Sequence, residues 1–107
     1  MATQTNALTN KILKFLFENG CFCWRQNTAG RFDPKLGIYR SSRKVGVPDI
    51  VGCTPTGRLL TLEIKVGKDK LRPEQVGFIE SVRHCQGIAL VITSWEDFLV
   101  QFKEIVL

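Results

Sequence analysis

Apolar and polar residues alternate between residues 59 and 66, which predicts a β-strand with one buried face. The apolar side consists of Leu60, Leu62, Ile64 and Val66, and the polar side of Thr61, Glu63 and Lys65. A second extended segment, which starts near Gly46, precedes it. Pro55-Thr56-Gly57 between the two suits a three-residue hairpin loop with Gly57 in the left-handed conformation. The pattern therefore predicts a β-hairpin over residues 46–65.

The loop length also predicts the pairing of the two strands. If Thr54 faces Arg58, Asp49 lies opposite Glu63. Directly opposed strand residues have Cβ atoms about 4.5–5.5 Å apart, a separation at which two carboxylates can share one cation. Lys65 lies on the same side as Glu63, where an amine can hold an attacking water or stabilise negative charge on a phosphate. The hairpin therefore predicts a hydrolytic site.

The segments before the hairpin predict a helix, a short strand and a loop. Apolar residues at helical spacing indicate a helix over about 6–19, with Thr5 or Asn6 as N-cap and Gly20 after its end. Alternation over residues 21–25 indicates a strand with Phe22 and Trp24 on one face. A polar and basic loop follows, with a brief strand at residues 38–40. Its aromatic residues, Phe32 and Tyr39, either stack on exposed bases or fix the loop to the rest of the domain.

The segments after the hairpin predict a helix, a strand and a final helix. Pro73 suits the first turn of a helix that Gly87 closes, with a core stripe at Val76, Ile79 and Val82. Residues 88–93 form an apolar, β-branched run that indicates a buried strand parallel to a neighbour. Ser94 and Asp97 suit the start of a last helix, whose inward face consists of Trp95, Phe98, Leu99, Phe102 and Ile105. The order α-β-(β)-β-β-α-β-α predicts an α/β mixed sheet with helices on both faces.

Composition places the chain among ordinary globular proteins. It has 107 residues, of which 44% are hydrophobic and 23% charged, and this predicts a single domain over residues 1–107. We expect a cytoplasmic protein without a membrane segment, because neither a signal peptide nor a run of about 20 apolar residues is present. Four scattered cysteines without C-x-x-C spacing indicate reduced thiols, and with the single histidine, His84, they do not predict a zinc site or a catalytic base.

The charge predicts a polyanionic partner. The chain has fifteen Lys and Arg residues and ten Asp and Glu residues, which gives a net charge of +5. Basic residues cluster on both sides of the hairpin, as a phosphate backbone that passes a cleavage centre requires. The candidate DNA-contacting residues are Arg25, Arg31, Arg40, Arg43, Lys44, Lys68 and Lys70.

Pro48-Asp49 followed by Glu63-Ile64-Lys65 resembles the signature of the PD-(D/E)XK nuclease superfamily. Gly46-Val47-Pro48-Asp49, the later Pro73-Glu74-Gln75 and the small size resemble its VRR-NUC branch, the virus-type replication–repair nucleases. The resemblance implies a restriction-endonuclease-like fold. It also implies Mg²⁺ or Mn²⁺ bound by Asp49, Glu63 and the backbone carbonyl of Ile64, with no small-molecule cofactor. Gln75 matches a glutamine that lies near the metal in this family, whereas the residues alone predict a solvated first-turn side chain.

One feature departs from the resembled family. Its first helix commonly carries a metal-binding glutamate near the start, but the first acidic residue here is Glu18, at the far end of the predicted helix. Thr5 and Asn6 stand roughly where that glutamate is expected. This departure puts a second metal ion, or a complete first site, in question.

The resemblance implies a metal-dependent DNA endonuclease in a bacterial or phage context. Free-standing members tend to be homodimers and some resolve four-way junctions, so we expect a homodimer that cuts branched DNA, with four-way (Holliday) junctions ahead of flaps. Three alternatives stay open. They are a flap or branched-end nuclease, a basic DNA-binding module that has lost cleavage, and a restriction-type enzyme that recognises a short duplex sequence. A protein-interaction domain with incidental charge is a further class.

Overall fold

A computed structural model describes residues 4–26, 31–40 and 47–105. Its elements in chain order are α1 (Gln4–Glu18), β1 (Phe22–Arg25), β2 (Arg31–Asp33), β3 (Ile38–Arg40), β4 (Ile50–Cys53), β5 (Leu59–Ile64), α2 (Pro73–His84), β6 (Ile88–Ile92) and α3 (Trp95–Lys103). One sheet has the strand order β1-β4-β5-β6, and β2 and β3 form a separate antiparallel pair. β6 runs parallel to β5, whereas β1, β4 and β5 pair antiparallel. The predicted mixed sheet is confirmed.

The β4–β5 hairpin has the predicted register. Ile50 pairs with Leu62, and the Thr54 amide donates a hydrogen bond to the Arg58 carbonyl at 2.8 Å. Gly57 has a φ of +85°, the left-handed conformation that this loop requires. The turn therefore sets which residues of the two strands face each other.

The main core lies between one face of the sheet and helices α1 and α3. Its fully buried side chains are Ile12, Leu16, Ile50, Leu60, Leu62, Ile92 and Phe98. The Phe15 ring meets Trp95, Phe98 and Phe102 edge-on, at centroid distances between 5.2 and 5.6 Å. The aromatic residues of the last helix are therefore core residues, as their spacing predicts.

Helix α2 packs on the opposite face of the sheet. Ile79 and Val82 form a second buried cluster with Ala89 of β6. Helices thus cover both faces, as predicted. On the α2 face, however, the side chains of β1 are exposed, because Phe22 and Trp24 keep 71% and 45% of their surface in solvent.

The predicted start of α1 and the predicted end of α2 need correction. Thr5 and Asn6 lie inside α1 and are not its N-cap. The left-handed residue after α2 is Gln86, with a φ of +67°, rather than Gly87. Val76 is exposed, so it does not belong to the core stripe of α2. Shifts of one or two residues at helix ends are common, and periodicity does not specify the terminal residue.

Two further predictions concern shorter segments. Residues 31–33 form strand β2 and pair with β3, although the sequence predicts a loop there. Ser94 caps α3 as predicted, because its hydroxyl accepts a hydrogen bond from the Asp97 amide at 3.0 Å. No helix within the described ranges is long and apolar enough to cross a membrane.

Candidate active site

Asp49 and Glu63 meet across the β4–β5 hairpin. Asp49 directly precedes β4, and continuing the register of the hairpin by one pair places it opposite Glu63. The backbone amide of Ile64 donates a 2.7 Å hydrogen bond to Asp49 Oδ2, which holds this carboxyl against β5. Both acidic side chains lie on the sheet face that α2 covers, opposite the main core.

The environment of Glu63 disfavours its negative charge. Its side chain is nearly buried, with 5% of the residue exposed. Burial first, and then the charge of Asp49, raise the pKa of Glu63 to about 8, although Lys65 opposes the shift. A hydrogen bond between the two carboxyls contributes in the same direction. In the absence of a cation, the pair therefore retains a proton near neutral pH.

Gln75 connects this acid to helix α2. Its Nε2 donates a hydrogen bond to Glu63 Oε1 at 2.9 Å, and its Oε1 accepts one from the Arg72 amide at 2.8 Å. The residue is 4% exposed, so the prediction of a solvated side chain is wrong. Packing of the first turn of α2 against the end of β5 explains the difference. The resemblance, not the local pattern, placed this glutamine near the acidic pair.

Lys65 follows Glu63 at the end of β5. Its Nζ lies 3.9 Å from Glu63 Oε1, at the limit of an ion pair, and its side chain is mostly buried. The Lys65 amide donates to the Ile92 carbonyl at 2.8 Å, which fixes the backbone at this point. The amine is therefore held beside the two carboxyls.

The acidic pair fits a hard cation, with two acidic ligands rather than three. Carboxylate oxygens suit Mg²⁺ and Mn²⁺, and two carboxyls that share a proton can exchange it for a cation. Over residues 4–26, 31–40 and 47–105, no group of three or more His, Cys, Asp or Glu side chains is arranged to hold a metal. Helix α1 contributes no acidic ligand to the pair, because its acidic residue, Glu18, lies exposed at its C-terminal end.

Comparison with known families agrees with this arrangement. The VRR-NUC domain profile matches residues 9–96, a range that includes the hairpin, Lys65 and Gln75. The chain belongs to the VRR-NUC family. The fold of this family is of the PD-(D/E)XK kind, whose nucleases typically use divalent metals, and membership indicates a nuclease-type function with DNA as substrate. No curated protein gives a significant match.

The predicted DNA-contacting residues of this VRR-NUC domain lie in different places. Lys68 and Lys70 are exposed on the loop that leads from β5 to α2. Arg25 instead points to the α1 side of the sheet, where its guanidinium donates a hydrogen bond to Asn6 Oδ1. Arg31 and Arg40 are paired backbone positions of β2 and β3, and Arg43 and Lys44 lie outside the described residues.

Two groups near the site are not among the predicted site residues. Arg72 lies close enough to Glu63 to lower its pKa, in opposition to the larger raising effects. Trp24 lies on the same sheet face as Asp49 and Glu63, and its ring is exposed. Alternation showed that Phe22 and Trp24 share a face, but it did not show that this face carries the acidic pair.

Proposed function

We propose that this VRR-NUC domain is a metal-dependent endonuclease that hydrolyses phosphodiester bonds in branched DNA. One observation carries the proposal: the hairpin brings Asp49 and Glu63 together, with the Lys65 amine 3.9 Å from Glu63. Two carboxyls and an amine in one place are the groups that metal-assisted phosphodiester hydrolysis needs. The raised pKa of Glu63 supports it, since a buried acid beside a second acid favours a cation.

Each residue has a role that follows from its position. Asp49, Glu63 and the carbonyl oxygen of Ile64 would hold Mg²⁺ or Mn²⁺. When bound, such an ion lowers the pKa of its water and screens charge on the scissile phosphate. The Lys65 amine donates a hydrogen bond to the attacking water or to a phosphate oxygen. Gln75 keeps the Glu63 carboxyl oriented towards this centre, because its own amide is fixed by the Arg72 backbone.

The preference for branched DNA rests on the size and charge of the domain. A domain of this size offers few side chains that reach base edges, so recognition of shape is favoured over recognition of sequence. A homodimer with two-fold symmetry would present two centres to the two symmetric strands of a four-way junction. The second candidate is cutting at flaps, and a non-cleaving DNA-binding module is the third, favoured by the lack of an early acid in α1.

Cleavage of a panel of labelled substrates with Mn²⁺ tests the proposal. The panel comprises a four-way junction, a flap and a linear duplex of the same sequence. We expect wild type to cut the junction fastest, and Lys65→Ala to cut it about 10²–10³-fold more slowly while binding it unchanged. Lys14→Ala, on the exposed side of α1, is the matched control and should cut at the wild-type rate.

Three results decide between the candidates. Binding without products identifies a non-cleaving module, and a flap cut faster than the junction identifies a branched-end nuclease. Equal cutting of the linear duplex and the junction overturns the preference for branched DNA.

A further inference from the structure

Two aromatic rings project from the edge strand β1 into solvent. Phe22 is 71% exposed and Trp24 is 45% exposed, and their ring centroids are 5.6 Å apart at an interplanar angle of 54°. Exposed apolar residues that adjoin one another can mark a contact site, whereas single exposed residues are common. The two rings, referred to below as the β1 aromatic pair, adjoin each other on one strand.

The β1 aromatic pair lies on the face of the sheet that carries the acidic centre. Trp24 pairs with Val51, and the Gln26 amide donates to the Asp49 carbonyl at 2.7 Å, so Gln26 lies opposite Asp49. Trp24 is thus a diagonal neighbour of Asp49, at a separation of about 7–8 Å between such positions. Trp24 is therefore the ring of the pair that lies nearer to the acidic centre.

The Trp24 ring is also held in place. Its Nε1 donates a hydrogen bond to Gln26 Oε1 at 3.1 Å, which directs the N–H edge of the indole along β1 towards the acidic centre. The hydrogen bond uses only an edge of the indole, and 45% of the residue is exposed. A pre-oriented aromatic face loses little conformational entropy when it stacks on a ligand.

We propose that Trp24, extended by Phe22, is a stacking platform for an unpaired nucleobase of the strand whose phosphate lies at Asp49 and Glu63. The inference rests on the proposed nuclease function, because that function brings DNA to this face. Bases stack on aromatic side chains irrespective of sequence, and a base beside a branch point is unpaired or easily unpaired. The platform therefore gives the enzyme a physical means of preferring branched or frayed DNA to continuous duplex.

A second copy of the chain is the competing occupant, and the two rings by themselves offer too little area to hold one. The exposed parts of two such rings amount to roughly 250 Å², from the size of fully buried aromatic side chains. A stable protein–protein interface needs about 800 Å² on each partner. One or two nucleobases, in contrast, match the area and the flat shape of the pair.

The platform is tested by measuring the binding of a twelve-nucleotide oligothymidylate in metal-free buffer with EDTA, where no strand is cut. We expect Trp24→Ala to weaken binding by roughly five- to 150-fold, and Trp24→Phe to retain most of the affinity. Phe17→Ala removes another strongly exposed ring, on α1, and should bind like wild type. Oligothymidylate should quench the tryptophan fluorescence of wild type but not that of Trp24→Phe, because Trp95 packs in the aromatic core.

Cleavage measurements then separate this inference from the proposed function. If wild type cuts DNA but Trp24→Ala binds oligothymidylate and selects branched substrates as wild type does, the platform is wrong and the nuclease function stands. If wild type cuts no DNA but its fluorescence is quenched and Trp24→Ala binds weakly, the platform stands and the nuclease function fails. A change from dimer to monomer in Trp24→Ala, measured by sedimentation, would show that a second copy covers the pair and would overturn the platform.

Discussion

The side-chain amide of Gln75 is shared between Glu63 and the backbone of Arg72. It donates to Glu63 Oε1 at 2.9 Å and accepts from the Arg72 amide at 2.8 Å. A single buried side chain thus completes the N-terminal cap of α2 and orients an acid of the candidate active site. Helix start and active site are consequently linked, because a change at Gln75 removes both contacts at once.

Gln75→Ala should therefore destabilise the fold as well as impair cleavage. Removal of the amide leaves a buried carboxyl and a helix N–H without their partner, which costs about 1–3 kcal/mol in the free energy of unfolding. Val76→Ala, at the next and exposed position of α2, should change that free energy by less than about 0.5 kcal/mol. Urea denaturation of the two variants measures the difference. Equal losses would mean that the Gln75 contacts contribute nothing to stability.

The stability of the metal-free protein should fall as the pH rises. Burial and Asp49 raise the pKa of Glu63 from an ordinary value near 4.5 to about 8. Between these two values the folded state binds more protons than the unfolded state, so the contribution of Glu63 is fully present below pH 4.5 and is lost as the pH approaches 8. Urea denaturation with EDTA at intervals from pH 4.5 to pH 9 measures this slope.

Glu63→Gln is the control for the pH dependence. It keeps the shape of the side chain and an oxygen that can accept the Gln75 hydrogen bond, but it does not titrate. We expect a flatter stability profile in this variant across the same pH range. A profile as steep as that of wild type would assign the dependence to another group.

Divalent metal should stabilise the protein, and more so at high pH. Mn²⁺ or Mg²⁺ at a concentration one hundred times its Kd adds about 2.7 kcal/mol, which raises the Tm of a small domain by about 10 °C or more. The ion must displace the proton on Glu63, so at the same metal concentration the rise at pH 8.5 should exceed the rise at pH 6. Asp49→Asn should abolish the stabilisation by metal. A Tm that neither ion changes, in wild type or in Asp49→Asn, would contradict the metal site.

Two glycines should respond to alanine in opposite ways. A Cβ at Gly52 would lie 2.1 Å from the Phe22 carbonyl oxygen and 2.5 Å from the Cys23 Cα, so Gly52→Ala must separate β1 from β4. Such overpacking costs about 1–3 kcal/mol. A Cβ at Gly77, in the interior of α2, has no neighbour within 4 Å, and Gly77→Ala should stabilise by up to about 1 kcal/mol. Thermal melts should therefore move in opposite directions.

Local information was sufficient for the hairpin. The turn at residues 55–57 fixes the register of the strands on both sides, so the proximity of Asp49 and Glu63 followed from the sequence alone. The parallel strand β6 was equally predictable, because an apolar, β-branched run after a helix indicates a buried strand parallel to a neighbour. The roles proposed for these residues still need the cleavage and metal experiments.

Other features depended on contacts between segments far apart in the chain. Gln75 looked solvated because its environment is created by β5, twelve residues earlier. Strand β2 is too short to show a period, and it is defined only by its pairing with β3.

The sequence by itself determined the family, the mixed sheet and the meeting of the two acids, since each follows from periodicity, turn chemistry or a short motif. Only the tertiary structure decided that Glu63 is buried against Gln75 and that Trp24 is exposed on the same face. The physical reason is that alternation assigns residues to two faces but does not say what covers each face. That depends on where α1, α2 and α3 pack against the sheet.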